Sequence, residues 1–298
     1  MNTSVERYSE LFNLQKRNFT VVDGVLYICE NHIVRQFAPT SEQILLEKRK
    51  ADLILKELGG YIFIGQTEIS DDPNPEWYAV VCDTGFSVED YPLSKTRFKV
   101  NRSLRRGSVR KVTAEEIIDQ AFEVMTEALK DQHYNLNGMK DKRQYQDQFL
   151  QLDRFQDIVD IWGVFLGAEL VGIVQNYKFG QLEVNYSSLK FTPRLLSECS
   201  SYGVLHAMNE YYLKDSGIAR VNDGYRNIYH KTSIQEVLQK YFHFYKQPMK
   251  LRVHFRQPLG FMLRVLHPLR SIFGSMNSKA EALFLLDSIS RKYEKLEQ

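Results

Sequence analysis

Two short segments gather side chains that can move protons. Leu182-Glu183-Val184-Asn185-Tyr186-Ser187-Ser188 reads as a strand, so Glu183, Asn185 and Ser187 share one face and Val184, Tyr186 and Ser188 the other. A carboxylate such as Glu183 becomes a general base if burial raises its pKa; on a solvated face it is only a surface charge. Tyr186 fits half-buried packing better than proton donation. Asn222-Asp223-Gly224-Tyr225 follows a short apolar strand, at the strand end where sites of α/β proteins collect. Asp223 can hold an amine or a ribose hydroxyl there, while Asn-Asp-Gly is equally good turn chemistry. Tyr229 and His230 come next in a polar loop. His230 is the histidine best placed for proton transfer, against the plainer alternative of a solvated ring. His206 sits in an apolar helix and reads as a core histidine. Cys199 has no partner base and is not taken as a nucleophile.

Anion chemistry has its own candidates. Between Lys95 and Lys111 stand Lys95, Arg97, Lys99, Arg102, Arg105, Arg106, Arg110 and Lys111 with no acid among them. Such a run binds a polyanion or forms a solvated helix face. Phe98 is the only aromatic within it, too few for base stacking. A helix starting near Ser201 would aim free N–H groups outward, so Ser200, Ser201 and Gly203 can receive a phosphate, with Arg194 close in sequence. As plain structure, Ser200 or Ser201 is an N-cap.

These residues need a scaffold, and the apolar pattern supplies one. Ile161 to Phe255 reads as three antiparallel strands with turns at Gly167-Ala168-Glu169 and Phe179-Gly180, then helix, strand, helix, strand. Upstream, residues to Lys16 read as a helix and Phe19–Phe37 as two or three strands around an Asp23-Gly24 hairpin turn. Residues 41–58 read as an amphipathic helix capped by Ser41 and ended by Gly59-Gly60. Strands follow at Tyr61–Glu68 and Trp77–Asp83. A helix from Ser94 stops at Gly107, and Thr113 with Glu116 forms a capping box for the next. A more polar helix covers about 139–152.

The chain has 298 residues, 43% hydrophobic, and a net charge of +2, which suits two units and excludes a globally basic nucleic-acid binder. Three distant cysteines give neither a disulfide framework nor a zinc site. The charged N-terminus and the absence of 18 consecutive apolar residues lead to the expectation of a cytoplasmic protein.

Four segments resemble the GNAT superfamily of acyltransferases, and more closely its Fem-type branch, the peptidoglycan aminoacyltransferase-like proteins. LSKTRFKVNRSLRRG is similar to the basic-helix element that follows the Fem first half. VFLGAELVGIV resembles the central GNAT hairpin, ARVNDGY the Fem strand Phe-Asp-x-Gly, and LQKYFHF the helix end Phe-Lys-x-x-Phe-Gly-Phe. The resemblance covers roughly 15–256. It implies an α/β (α+β) fold with a mixed, mostly antiparallel sheet flanked by helices, and a degenerate GNAT-like N-terminal half. The implied division is 1–90, a transferase domain at 91–256 and a helical tail at 257–298.

The implied activity is transfer of an acyl or aminoacyl group from acyl-CoA or aminoacyl-tRNA, bound as co-substrate, to an amine acceptor that is a small molecule or a peptidoglycan precursor. No metal is called for. Glu183, Asp223, Tyr225 and His230 would line the acceptor side. Lys95, Arg97, Arg102, Arg194, Ser200, Ser201 and Gly203 would hold the donor. Two departures stand against ordinary CoA chemistry: FTPRLLSECSSYG carries the single Gly203 where GNAT enzymes have a glycine-rich loop, and the late-helix tyrosine position holds Gln239. The alternative readings are a GNAT-like module that binds without catalysis, and a peripheral membrane protein. The second rests on the tail, where Phe261, Met262, Leu263, Leu266 and Leu269 mix with Arg256, Arg264 and Arg270 around Pro268. That pattern suits a membrane interface, the protein's own core or a second subunit of a homodimer.

Overall fold

A computed structural model of the protein describes residues 3–42, 44, 47–131, 141–195, 201–228, 234–269 and 278–296. The chain folds as two compact units. The first joins Met1–Val80, Tyr225–Ser233 and Lys246–Gln298; the second joins Val81–Gly224 and Ile234–Tyr245. Residues 257–298 therefore group with the N-terminal part of the chain.

In the first unit, α1 (Thr3–Leu14) precedes β1 (Phe19–Val22), β2 (Val25–Glu30) and β3 (Ile33–Phe37). β1 and β2 pair antiparallel across Asp23-Gly24, which turn with φ of 53° and 77°. That positive-φ pair is the hairpin geometry Asp-Gly favours. α2 (Lys48–Glu57) leads to β4 (Ile62–Ile69), which lies parallel to β3. Val34, Ala51, Ile54, Leu55, Leu58 and Phe63 bury together as its core. The helix starts six residues later than expected, after Glu47 rather than Ser41. Glu42 N–H instead donates to the Pro39 carbonyl, closing a turn where the first helical turn was expected. β5 (Tyr78–Cys82) carries the chain into the second unit.

There, α3 (Ser94–Arg106) ends at Gly107 and β6 (Ser108–Val112) follows. The Thr113–Glu116 capping box forms in both directions and opens α4 (Ala114–Asp131). α5 (Lys142–Leu150) is capped by Asp141. β7 (Val159–Leu166), β8 (Glu169–Phe179) and β9 (Glu183–Phe191) pair antiparallel with β6 at the edge, turning at Gly167 (φ 62°) and Gly180 (φ 59°). α6 (Ser201–Glu210) runs into a π-turn, Tyr211–Asp215, and β10 (Val221–Tyr225) then lies parallel to β9. α7 (Ile234–Tyr241) completes this unit. β11 (Tyr245–Phe255) pairs antiparallel with β4 in the first, followed by α8 (Leu259–Leu266) and α9 (Ser278–Leu296).

The two units share one motif. In each, three antiparallel strands are followed by a helix and a strand parallel to the third: β1-β2-β3-α2-β4 and β7-β8-β9-α6-β10. The expected fold class, mixed and mostly antiparallel, is what the chain adopts, and its first half repeats the motif of the second.

A polar cluster ties α6 to its sheet. Buried Asp160 on β7 accepts from Tyr212 Oη (2.9 Å), Lys111 Nζ (2.8 Å) and Lys178 Nζ (3.0 Å). Tyr212 Oη in turn accepts from Trp162 Nε1 at 2.8 Å and Asn176 Nδ2 at 3.2 Å. A buried carboxylate is tolerated because it is so densely partnered. No described helix is long and apolar enough to cross a membrane.

Candidate functional site

The parallel pairing of β9 and β10 is short. Val184 faces Val221 and Asn185 faces Asn222; the register goes no further, although β9 continues to Phe191. Two local features open the seam. On β10, Asn222 Oδ1 accepts from Gly224 N–H at 2.8 Å, and Gly224 takes φ of 76°. This Asx turn bends the strand away from a ladder conformation, and the glycine meets the positive φ without strain. On β9, Ser187 is bulged out: Gln175 of β8 faces Ser188 and Asn176 faces Tyr186. A bulge adds a residue and turns the strand locally. It also breaks the alternation expected along β9, so Ser187 is exposed and does not continue the face of Glu183 and Asn185.

Below the opening lies a hydrogen-bonded lock. Asn222 Nδ2 donates to Glu183 Oε1 at 2.5 Å, and Asn222 Oδ1 accepts from Asn185 Nδ2 at 2.5 Å. Glu183 has no exposed surface, which overturns its reading as a solvent-facing strand residue. Tyr186, expected half-buried, is 4% exposed and donates to Asn209 Oδ1 at 2.6 Å. Burial pushes its phenol pKa well up, so it stays protonated.

Asp223 sits where the strands part, half-buried, its carbonyl accepting from Gln235 Nε2 of α7 at 3.3 Å. Burial pushes its carboxyl up to about 7, against a smaller opposing pull from the Gln235 side chain. A carboxyl that titrates near neutrality can take a proton and release it again. Of the sequence candidates, Glu183 meets Asn222, and Asp223, the next residue along β10, lies close enough to buried Tyr186 to help raise its pKa. Tyr225 belongs to the first unit, its ring stacked on Trp77 at 6.1 Å. His230, with Tyr229, lies outside the described residues, as do Cys199 and Ser200. His206 is buried, its Nδ1 2.9 Å from Tyr91 Oη, and burial lowers its pKa; it is a neutral core histidine.

The basic run divides in two. Arg110 pairs with Glu116 at 2.5 Å and Lys111 with Asp160, so acids from elsewhere neutralise its end. Arg97 is half-buried and donates to the Tyr91 carbonyl. On α3, Lys95, Lys99, Arg102 and Arg106 are spaced four, three and four residues apart, which sets them in one stripe of the helix. Lys95 and Arg106 are exposed, Lys99 and Arg102 half-buried. Lys99 Nζ lies 4.3 Å from the centre of the Tyr202 ring, in the first turn of α6 beside Ser201. Arg194 is exposed and paired with Glu169 at 2.5 Å. Gln239, at the tyrosine position, bonds back to the Gln235 carbonyl at 3.0 Å.

Gly203 has a packing reason to be glycine. A Cβ there would stand 2.3 Å from Ser103 Oγ and 2.8 Å from Ser103 Cβ, because α3 and α6 touch at that point. Gly203→Ala is expected to cost about 1–3 kcal/mol by overpacking. Ser103→Gly in the same chain should recover most of it, read as a double-mutant cycle in urea unfolding.

Sequence reasoning missed Asn222 as the centre of the lock, the Ser187 bulge and Gln235. The Asn-x-Gly spacing of an Asx turn was the one visible signal. Among the described residues, no group of three or more His, Cys, Asp or Glu is placed to hold a metal ion.

No protein-family model matches the chain, and no curated protein matches it. Solved structures do. The chain is similar to FemX, with a TM-score of 0.54 and 9% identity over 86% of this chain and 92% of that one. It is also similar, at a TM-score of 0.45 and 10% identity, to a tandem GNAT protein from the clavulanic acid biosynthesis pathway, over 84% of this chain and 93% of the other. At such identities the likeness to FemX speaks for the fold.

Proposed function

We propose that this chain, whose fold is of the GNAT/Fem type, transfers an acyl or aminoacyl group from a thioester or ester donor to an amine, at the open seam of β9 and β10. The observation that carries the reading is the early end of that pairing, after Asn185 and Asn222. A donor carbonyl can enter where the second strand departs, and backbone N–H groups of β9 beyond Asn185 would support the oxyanion. The amine attacks the carbonyl carbon, the new N–C bond forms, and the C–S or C–O bond breaks. The amine's proton passes to Asp223, and the departing thiolate or alkoxide is protonated in turn. Glu183 and Asn185 act through Asn222, which fixes the angle at which Asp223 meets the seam.

Both donor types carry phosphates. The α3 stripe and the first turn of α6 offer cationic side chains and free N–H groups for them. Side-chain charge, rather than a glycine cradle, fits the packing of Gly203 on Ser103. Lys99→Glu with Arg102→Glu is expected to weaken donor binding at least about tenfold and to flatten its salt dependence. Titration calorimetry at two salt concentrations checks both effects.

The packed Gly203 also favours a second reading, a module that binds donor without turning it over. Incubating the purified chain with an amine and either acetyl-CoA or an aminoacyl-tRNA, then assaying for the amide, separates the two. Amide formation lost in Asp223→Asn, with donor binding kept, supports transfer. Donor binding without amide for any amine supports the binding module, and neither binding nor product removes both.

A further inference from the structure

The last part of the first unit has a charge imbalance that the transfer site does not use. From Lys246 to Ala280 there are seven Lys and Arg and no Asp or Glu, in a chain whose net charge is only +2. Within this stretch, α8 shows solvent its apolar side. Phe261 is 62% exposed, Met262 51% and Val265 56%, while Leu263 on the opposite side is buried at 5%. At 100° per residue, Arg264, Phe261, Val265 and Met262 follow one another around a single arc. The helix is held in that orientation: Leu263 is buried, and Gly260 lies so close to Phe255 that a Cβ would come within 3.2 Å of its carbonyl oxygen. Arg256 and Arg264 make no ion pair among the described residues.

We propose that α8 seats this unit on an anionic lipid surface, with Phe261, Met262 and Val265 entering the acyl boundary and Arg256 and Arg264 meeting the headgroup phosphates. Two observations select this occupant. Asp52 and Asp287 reach His254 and His267 of this stretch, but Arg256 and Arg264 keep their positive charge beside the apolar arc and complement an anionic leaflet, where each basic side chain adds about fivefold to binding. Among the described residues the apolar arc is also too small for a second copy of the chain: three side chains on an eight-residue helix fall far short of the roughly 800 Å² per partner that a stable protein interface buries. A bilayer demands no matching surface, and a short amphipathic helix lies in its interface plane.

The test is co-sedimentation of the full chain with vesicles of phosphatidylcholine alone and of phosphatidylcholine with one quarter phosphatidylglycerol. The wild type is expected to bind the second and not the first, and to release at high salt. Phe261→Ser with Val265→Ser should lower the partition coefficient at least about tenfold, and Arg264→Gln about fivefold. Because these side chains are exposed, thermal unfolding of the variants should match the wild type, and Phe261→Trp should shift its emission to the blue when anionic vesicles are added. Failure of the wild type to bind anionic vesicles overturns the proposal, as does equal binding by the Ser double variant. A doubling of mass in solution that the double variant abolishes would assign the arc to a second copy and overturn it too.

Discussion

Asn in place of Asp223 is expected to slow amide formation at least about 100-fold and, at pH 8, to make the protein harder to unfold. The two effects have one origin. In the unfolded chain the carboxyl titrates near its ordinary value of 3.8; in the folded one, burial moves it up to about 7. Below the lower value both states are protonated and the group adds nothing. Between the two the folded state binds the extra proton, so each step up in pH costs stability, and the loss is complete above 7. The full shift is worth about 4 kcal/mol; since Asp223 is half-buried and partly screened by water, about 1–2 kcal/mol is expected. Asn keeps the shape and the Gln235 contacts but carries no charge. Urea unfolding of both proteins at pH 5 and pH 8 should show a gain for Asp223→Asn that grows with pH. Wild-type turnover should rise with pH through about 7 as the base is freed, an inflection the variant lacks.

The elements of this fold were legible because local chemistry and long-range packing agree in them. Thr113 and Glu116 cap a helix whether or not a sheet lies beside it, and Asp23-Gly24 turns a hairpin by its own φ preference. Ser41 misled because a cap is a local signal, and the Pro39–Glu42 turn used the same residues differently. The site was less legible, for a physical reason. Glu183 looks like any strand carboxylate until its partner arrives from Asn222, 39 residues away in sequence. The bulge at Ser187 is a mismatch between two strands and has no signature in either one. Gly203 invited a phosphate-loop reading because its reason, Ser103, lies on a different helix. Likewise the run from Lys95 to Lys111 looked uniformly cationic, since the acids that neutralise its end come from α4 and β7.

Asn222 is where the seam and the stability of the second unit meet, so its replacement carries the other large expected effect. Asn222→Asp preserves the acceptor for Asn185 Nδ2 and for Gly224 N–H, and with them the Asx turn. It loses the donor that serves Glu183 Oε1 at 2.5 Å and the Val184 carbonyl at 3.4 Å, and sets a second carboxyl where Glu183 has no exposed surface. Two carboxylates there cannot both ionise, and the pair must hold a proton between them. The cost at pH 8 is expected to be about 3–5 kcal/mol, the range for an uncompensated buried charge. It should shrink as the pH falls toward 5 and the shared proton binds. Asn222→Ala removes all four hydrogen bonds of the side chain and should be destabilised by about 3 kcal/mol at both pH values, with no such recovery. Equal pH profiles for the two variants in urea unfolding would mean that Glu183 does not depend on Asn222. If instead the Asp variant recovers stability at pH 5 together with donor binding, the lock is what holds the strands apart at the angle the seam requires.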